Sequence, residues 1–280
     1  MSEGHERGPV RGVGIGLRSP HHEYILEHRP PVPWLEVLTD NYLVDGGPRL
    51  RLLEAIAERY PVTLHGVGMG LGDTDPLDLD YLRRLHALAE RIGPAWISDH
   101  LCWCAQGGRH SHELLPLPYT QEAVAHVADR IRQVQDFLGQ RLVVENVSSY
   151  VEYQSSQMSE WAFLSAVAEA ADCEILLDIN NIYVSAANHG FSAQVYLEGV
   201  PHERVREMHL AGYEDHGTHL LDSHSQPVHG PVWDLYARAA AYLPHVPTLI
   251  EWDNDIPAFA RLMAEADKAR QVQRDACHAG

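Results

Sequence analysis

Eight short β-branched or apolar runs recur along this 280-residue chain, alternating with stretches that have a helical spacing of apolar residues. Strands are expected near Gly12–Leu17, Trp34–Leu38, Val62–His65, Ala95–Ser98, Leu142–Glu145, Glu174–Asp178, Val205–Leu210 and Thr248–Glu251. Amphipathic helices are expected at Arg49–Arg59, Leu77–Ile92, Gln121–Leu138, Glu160–Ala171, Trp233–Leu243 and Ala258–Gln273, with apolar residues three or four apart. Pro33, Pro61, Pro94 and Pro247 stand just before a strand. Eight such units without a Pro/Ser-rich linker predict one (β/α)8 TIM barrel over residues 1–280, with frayed ends at 1–11 and about 275–280. The rival is an open doubly wound sheet. Gly12, Gly14 and Gly16 lack the spacing of a dinucleotide-binding turn, so they read as a strand of small residues.

Composition removes several functions. The chain carries 39 Asp+Glu against 21 Lys+Arg, a formal net charge of -18, and Lys268 is its only lysine. That balance argues against gripping nucleic acid by bulk charge. With a single lysine there is no phosphate-binding P-loop, and Schiff-base chemistry is disfavoured. No apolar run of about 18 residues offers a membrane span. The N-terminus lacks a signal-peptide core, and Cys102, Cys104, Cys173 and Cys277 form no disulfide framework, so a reducing, cytoplasmic location is expected.

The 19 histidines are the informative excess. Six successive strand runs end in, or lead directly to, a metal-competent side chain: His65, His100, Glu145, Asp178, His209 and Glu251. Asp222 and His224 follow in a loop. A barrel gathers the C-terminal ends of its strands at one mouth, where active sites lie. Crowded imidazoles and carboxylates repel one another unless cations neutralise them. The number of nitrogen and oxygen ligands exceeds the need of one ion. Two or three ions of iron, manganese or zinc are therefore expected. Glu145 is the candidate bridge between ions, because its carboxylate has two oxygens and its strand lies centrally among the ligand-bearing strands.

The order of these ligands resembles the trinuclear site of the xylose-isomerase-like barrels, including the endonuclease IV type of nuclease. That pattern has a His three residues after the Asp of strand six; here Asp178 is followed at that offset by Asn181. A more extensive likeness runs over some 240 residues. It includes His65-Gly66-Val67-Gly68-Met69, Ser98-Asp99-His100-Leu101, Glu145-Asn146-Val147-Ser148-Ser149-Tyr150, Asp178-Ile179-Asn180-Asn181, His209-Leu210-Ala211-Gly212, Asp222-Ser223-His224 and Ile250-Glu251-Trp252-Asp253. In these strings the chain resembles the multinuclear non-heme iron-dependent oxidative enzymes, the family of the methanobactin biosynthesis iron protein. The resemblance implies two or three irons in mixed Fe(II)/Fe(III) states, with Asn181 supplying an amide oxygen ligand. It further implies O2 as co-substrate, a ribosomally made precursor peptide modified mainly at cysteine, and a small accessory protein that helps recognise the peptide.

The expected catalytic residues are Glu145, Asp178 and His209. The expected metal ligands are His65, His100, Glu145, Asp178, Asn181, His209, Asp222, His224 and Glu251. His189, Asp253, His112 and Glu36 are candidates for supporting ligands or touching substrate; Glu36 has the alternative of pairing with Arg18. His110 and His112 are placed in a loop after strand four, and His216 and His219 in a solvated loop. His5, His21, His22, His28, His86, His126, His202, His245 and His278 are expected at the surface. Cys102 and Cys104 are expected in packing roles. A metal-dependent phosphodiester hydrolase and a sugar isomerase are the competing functions on the same barrel.

Overall fold

The computed structural model describes residues 9–279, so the expectations for His5 and for residues 1–8 lie outside the described residues. Eight parallel strands close into a barrel: β1 (Val13–Leu17), β2 (Leu35–Leu38), β3 (Val62–Gly66), β4 (Ile97–His100), β7 (Leu142–Glu145), β8 (Glu174–Asp178), β9 (Val205–Leu210) and β12 (Thr248–Ile250). Each pairs with the next barrel strand in the chain, and β12 closes on β1. The strands are buried almost throughout, as in a parallel sheet covered by helices on its outer face. The open-sheet alternative is thereby excluded.

The helices are α1 (His22–His28), α2 (Pro48–Ala57), α3 (Leu79–Ile92), α4 (Gln121–Leu138), α5 (Glu160–Ala171), α6 (Ile179–His189), α7 (Ala193–Gly199), α8 (Gly230–Tyr242) and α9 (Phe259–Ala279). Local chemistry sets their ends. Thr120 and Ser159 cap α4 and α5 by accepting backbone N–H bonds, and Gly93, Gly139 and Gly190 end α3, α4 and α6 in the left-handed conformation.

Two tryptophans, Trp34 and Trp96, pack toward the N-terminal end of the barrel, ring centroids 6.3 Å apart. Trp34 lies over Gly14, where a Cβ would overlap its indole. Gly14→Ala is therefore expected to destabilise the fold by roughly 1–3 kcal/mol through overpacking, read from the midpoint of urea unfolding.

Three expectations change. The segment carrying His110 and His112 is not a loop but a hairpin arm, β5 (Trp103–Gln106) paired with β6 (Arg109–Leu115), turning at Gly107 and Gly108. As expected, His216 and His219 lie in a solvated loop, stacked and exposed in the turn between two short strands, β10 (Glu214–Asp215) and β11 (Leu220–Leu221). His21 and His22 are buried rather than on the surface. His21 meets the Phe259 ring edge-on, and His22 Nε2 lies 3.0 Å from the Tyr42 hydroxyl. Burial pushes His22 down to about 4. Finally, α9 continues through the expected frayed tail, because Val272 and Ala276 pack on the core and Gln273 Nε2 donates to Val246 O and Thr248 Oγ1.

A candidate metal centre at the barrel mouth

The parallel register delivers the polar residues to one layer. His100 on β4 pairs with Glu145 on β7, and Asp178 on β8 pairs with His209 on β9. Asp178 also caps α6: its Oδ1 accepts from Asn181 N at 2.6 Å. One carboxylate thus ends the strand, starts the helix and keeps its second oxygen for the interior. The loop after β11 returns Asp222 and His224 to the same mouth, with His224 at a positive φ of 49°.

Four overlapping sets of three side chains bring ligand atoms within 4.8 Å of one another: His65–His100–Glu145, Glu145–Asp178–His209, Asp178–His224–Glu251 and Glu36–His209–Glu251. Glu145 joins the first two sets. Its Oε2 lies 3.2 Å from both His65 Nε2 and His100 Nε2, while its Oε1 lies 3.9 Å from His209 Nδ1. Glu251 Oε2 stands 3.1 Å from His209 Nδ1 and 3.5 Å from His224 Nδ1. His224 Nε2 meets Asp222 Oδ1 at 2.7 Å. Asn181 donates through Nδ2 to Asn146 O, which leaves its Oδ1 free.

The far nitrogen of each imidazole is also engaged. His65 Nδ1 is bonded to Ser98 Oγ at 2.8 Å, and His100 Nδ1 to Gly66 O at 3.0 Å. His209 Nε2 faces Glu36 Oε1 at 3.2 Å and Glu207 Oε1 at 3.5 Å as close charge contacts rather than hydrogen bonds. Those carboxylates are anchored in turn: Thr63 Oγ1 donates to Glu36, and Trp96 Nε1 donates to Glu207. His224 Nδ1 lies 3.4 Å from Asp253 Oδ2, and Asp253 is held by Arg18. Such partners fix the tautomer and the ring orientation of a metal-binding histidine. Arg18 pairs with Asp253 and Glu251, so Glu36 takes its supporting position under His209 instead of an ion pair with Arg18.

The charge pattern is unbalanced without cations. Burial drives Glu145 well above the carboxylate range, and burial together with Asp222 pushes Asp178 up to about 7. Burial lowers His65 and takes His100 down to about 4. His209 and His224 resist burial and rise well above the usual imidazole value, through Glu36 and Glu251 for one and Asp222 and Glu251 for the other. Glu251, opposed by burial, is brought down by His224, His209 and Arg18.

The donor set fits metal ions. Asp178 Oδ2 and Asn181 Oδ1 are buried with no hydrogen-bond partner among the described residues, and Glu145 Oε2 takes no hydrogen bond although two imidazole nitrogens stand 3.2 Å away. Buried oxygens without donors are rare in folded proteins, and bound cations satisfy them. Glu145 and Asn181, with His65, His100, His224 and Glu251, line a cavity of about 200 Å³ that opens at the mouth.

Of the other candidates, Asp253 and Glu36 join this cluster. His189 sits behind it, its Nε2 2.8 Å from Ser149 Oγ. His112 is exposed on β6, and only Leu114 of that strand lines the cavity. Sequence reasoning missed Ser98 and Glu207. Their signal was the inward parity of their strands, masked by attention to strand ends.

Residues 12–274 match the family model described as RiPP precursor modification enzyme MbnB/TglH/ChrH. The chain belongs to this family. Members of it are enzymes that modify ribosomally made, post-translationally modified peptides, and the overlapping His/Glu clusters of this chain are consistent with a multinuclear iron site. A UPF0276 protein of Acaryochloris marina is 52% identical over 260 residues, covering 93% of this chain and 94% of that one. A UPF0276 protein of Anaeromyxobacter sp. is 50% identical over 262 residues, covering 94% and 93%. Among solved structures, endonuclease IV from Thermus thermophilus superposes with a TM-score of 0.60 at 15% identity, covering 97% of this chain and all of that one. L-ribulose 3-epimerase superposes with a TM-score of 0.60 at 14% identity, covering 97% of each chain. These likenesses establish the xylose-isomerase-like TIM barrel and carry no activity.

Proposed function

We propose that the mouth binds two or three irons in mixed Fe(II)/Fe(III) states and uses O2 to oxidise a ribosomal precursor peptide, most readily at cysteine. The observation that carries this reading is the set of buried oxygens on Glu145, Asp178 and Asn181 that take no hydrogen bond, inside four overlapping ligand sets. When bound, iron supplies the one-electron chemistry and O2 activation that no amino-acid side chain provides.

In this reading His65, His100 and Glu145 would hold one ion. Glu145 with Asp178, Asn181, His209 and Glu251 would hold a second, and Asp222 with His224 would serve a third. The protein's residues bind, orient and exclude water. Burial of Glu145, Asp178 and His209 keeps bulk water from the ligands. The Tyr150 hydroxyl accepts from Asp222 N and lies 3.2 Å from Ser148 Oγ, fixing the rim over which a peptide passes. A small accessory protein would present the precursor. The three buried free thiols and the one exposed thiol suit a reducing cytoplasm.

Other readings have less support. Lys268, the one lysine available to an isomerase, lies over the Trp233 ring at 4.2 Å rather than in the cavity. Arg18 is committed to Glu251 and Asp253, so it is not free to bind a phosphodiester.

Anaerobic reconstitution with Fe(II), followed by a genetically neighbouring precursor peptide and O2, tests the proposal by mass spectrometry. An O2-dependent mass change at cysteine is expected. Fully iron-loaded protein that changes no such peptide would contradict it. Glu36→Ala leaves His209 Nε2 without its closest carboxylate, and iron affinity is expected to fall about 10–100-fold, measured by chelator competition.

A further inference from the structure

Between Arg141 and Arg204 lie 62 residues without a lysine or arginine and with nine carboxylates. The two bracketing arginines both pair with Asp172, just before β8 at the far end of the barrel from the mouth. The mouth side of this sector therefore carries acid with no lysine or arginine of its own segment, and its nearby basic group is the imidazole of His189, 3.8 Å from Glu152. Here a cavity of about 230 Å³ opens beside the metal centre. Ser148 borders the metal cavity and the next residue, Ser149, borders this one.

Its walls are Tyr119, Tyr153, Trp161 and Phe191, with the Trp161 and Phe191 ring centroids 5.7 Å apart. Glu160 lies at its base and Glu152 at its exposed rim. The Glu160 carboxylate takes the Tyr196 hydroxyl at 2.9 Å and a bond from Tyr119, which leaves lone pairs for further donors. Burial nevertheless pushes Glu160 up to about 7, as expected for a carboxylate with no cation nearby. The metal centre uses none of these residues.

We propose that this cavity is a recognition pocket for a basic side chain of the peptide, arginine or lysine, a few residues from the position held over the metal centre. Aromatic faces attract the guanidinium or ammonium group, and Glu160 and Glu152 accept its N–H bonds. The assignment to a peptide side chain rests on the proposed function; the preference for a cation rests on the pocket alone.

The test titrates the iron-loaded protein with N-acetyl-arginine amide and with its neutral isostere N-acetyl-citrulline amide, by calorimetry. Arginine is expected to bind about tenfold tighter than citrulline. Glu160→Gln is expected to erase that difference at unchanged iron content, and Glu152→Gln to reduce it. Equal binding of the two probes, or a preference that survives both substitutions, would overturn the proposal. Arginine selectivity without peptide oxidation would uphold the pocket while the proposed function fails. Oxidation that is indifferent to basic residues in the precursor would do the reverse.

Discussion

Replacing Glu145 by Gln is expected to separate stability from function. The amide keeps the shape of the side chain but cannot bridge cations as a carboxylate does. Iron content is expected to drop by at least half. Peptide oxidation is expected to fall by more than the ~10–100-fold that the loss of a supporting residue costs. The metal-free variant, by contrast, is expected to melt at a higher temperature than metal-free wild type at pH 8. Wild type carries a buried carboxylate whose proton is held far more tightly than in the unfolded chain, beside Asp178, Glu251 and Glu36. Each unit of such displacement is about 1.4 kcal/mol of unfavourable ionisation that the amide avoids. Iron analysis and thermal melts on the same preparation read both effects. A variant with full iron and unchanged melting would show that Glu145 is not at the centre of the cluster.

Removing the metal is expected to make stability strongly dependent on pH. In the metal-free fold Asp178 is pushed up to about 7 and Glu145 well above its ordinary value. Between about pH 4 and 7 the folded protein therefore holds protons that the unfolded chain has released. Stability must then fall as pH rises through that window. His65 and His100, both lowered, act oppositely near pH 4–6.5, since the unfolded chain binds protons there that the folded one does not. The carboxylates, joined by the raised His209 and His224, are expected to prevail from pH 6.5 to 8, where His65 and His100 of the unfolded chain lose their remaining protons. Bound cations stabilise the ionised carboxylates. The gap in melting temperature between loaded and stripped protein is thus expected to widen from pH 6.5 to 8. A constant gap would mean that cations do not bind at these carboxylates.

Much of this was legible in the primary structure because parallel strands are simple objects. The Leu142–Glu145, Glu174–Asp178 and Val205–Leu210 strands stand at the expected boundaries, and their terminal carboxylates or near-terminal His209 meet in register. Less legible were elements whose stability comes from tertiary contacts. The β5–β6 arm reads as polar loop because nearly all of β6 faces solvent. Helix α6 begins at Ile179, directly after β8 ends at Asp178, so no turn signal separates strand from helix. The roles of individual nitrogens were also hidden. That His209 turns Nδ1 toward Glu145 and Glu251 while Nε2 meets Glu36 depends on strand layers that no local spacing encodes. Buried His21 and His22 escaped because their burial is made by Phe259 and Tyr42, distant in sequence.

In the proposed function one ring of side chains at the barrel mouth holds several irons with Glu145 between them. Anomalous diffraction at the iron edge from crystals of anaerobically loaded protein tests it most directly. Two or three iron peaks are expected, with Glu145 bonded to two of them, His65 and His100 on one ion, and His209 and Glu251 on its neighbour. A single peak, or peaks away from Glu145, would contradict the account.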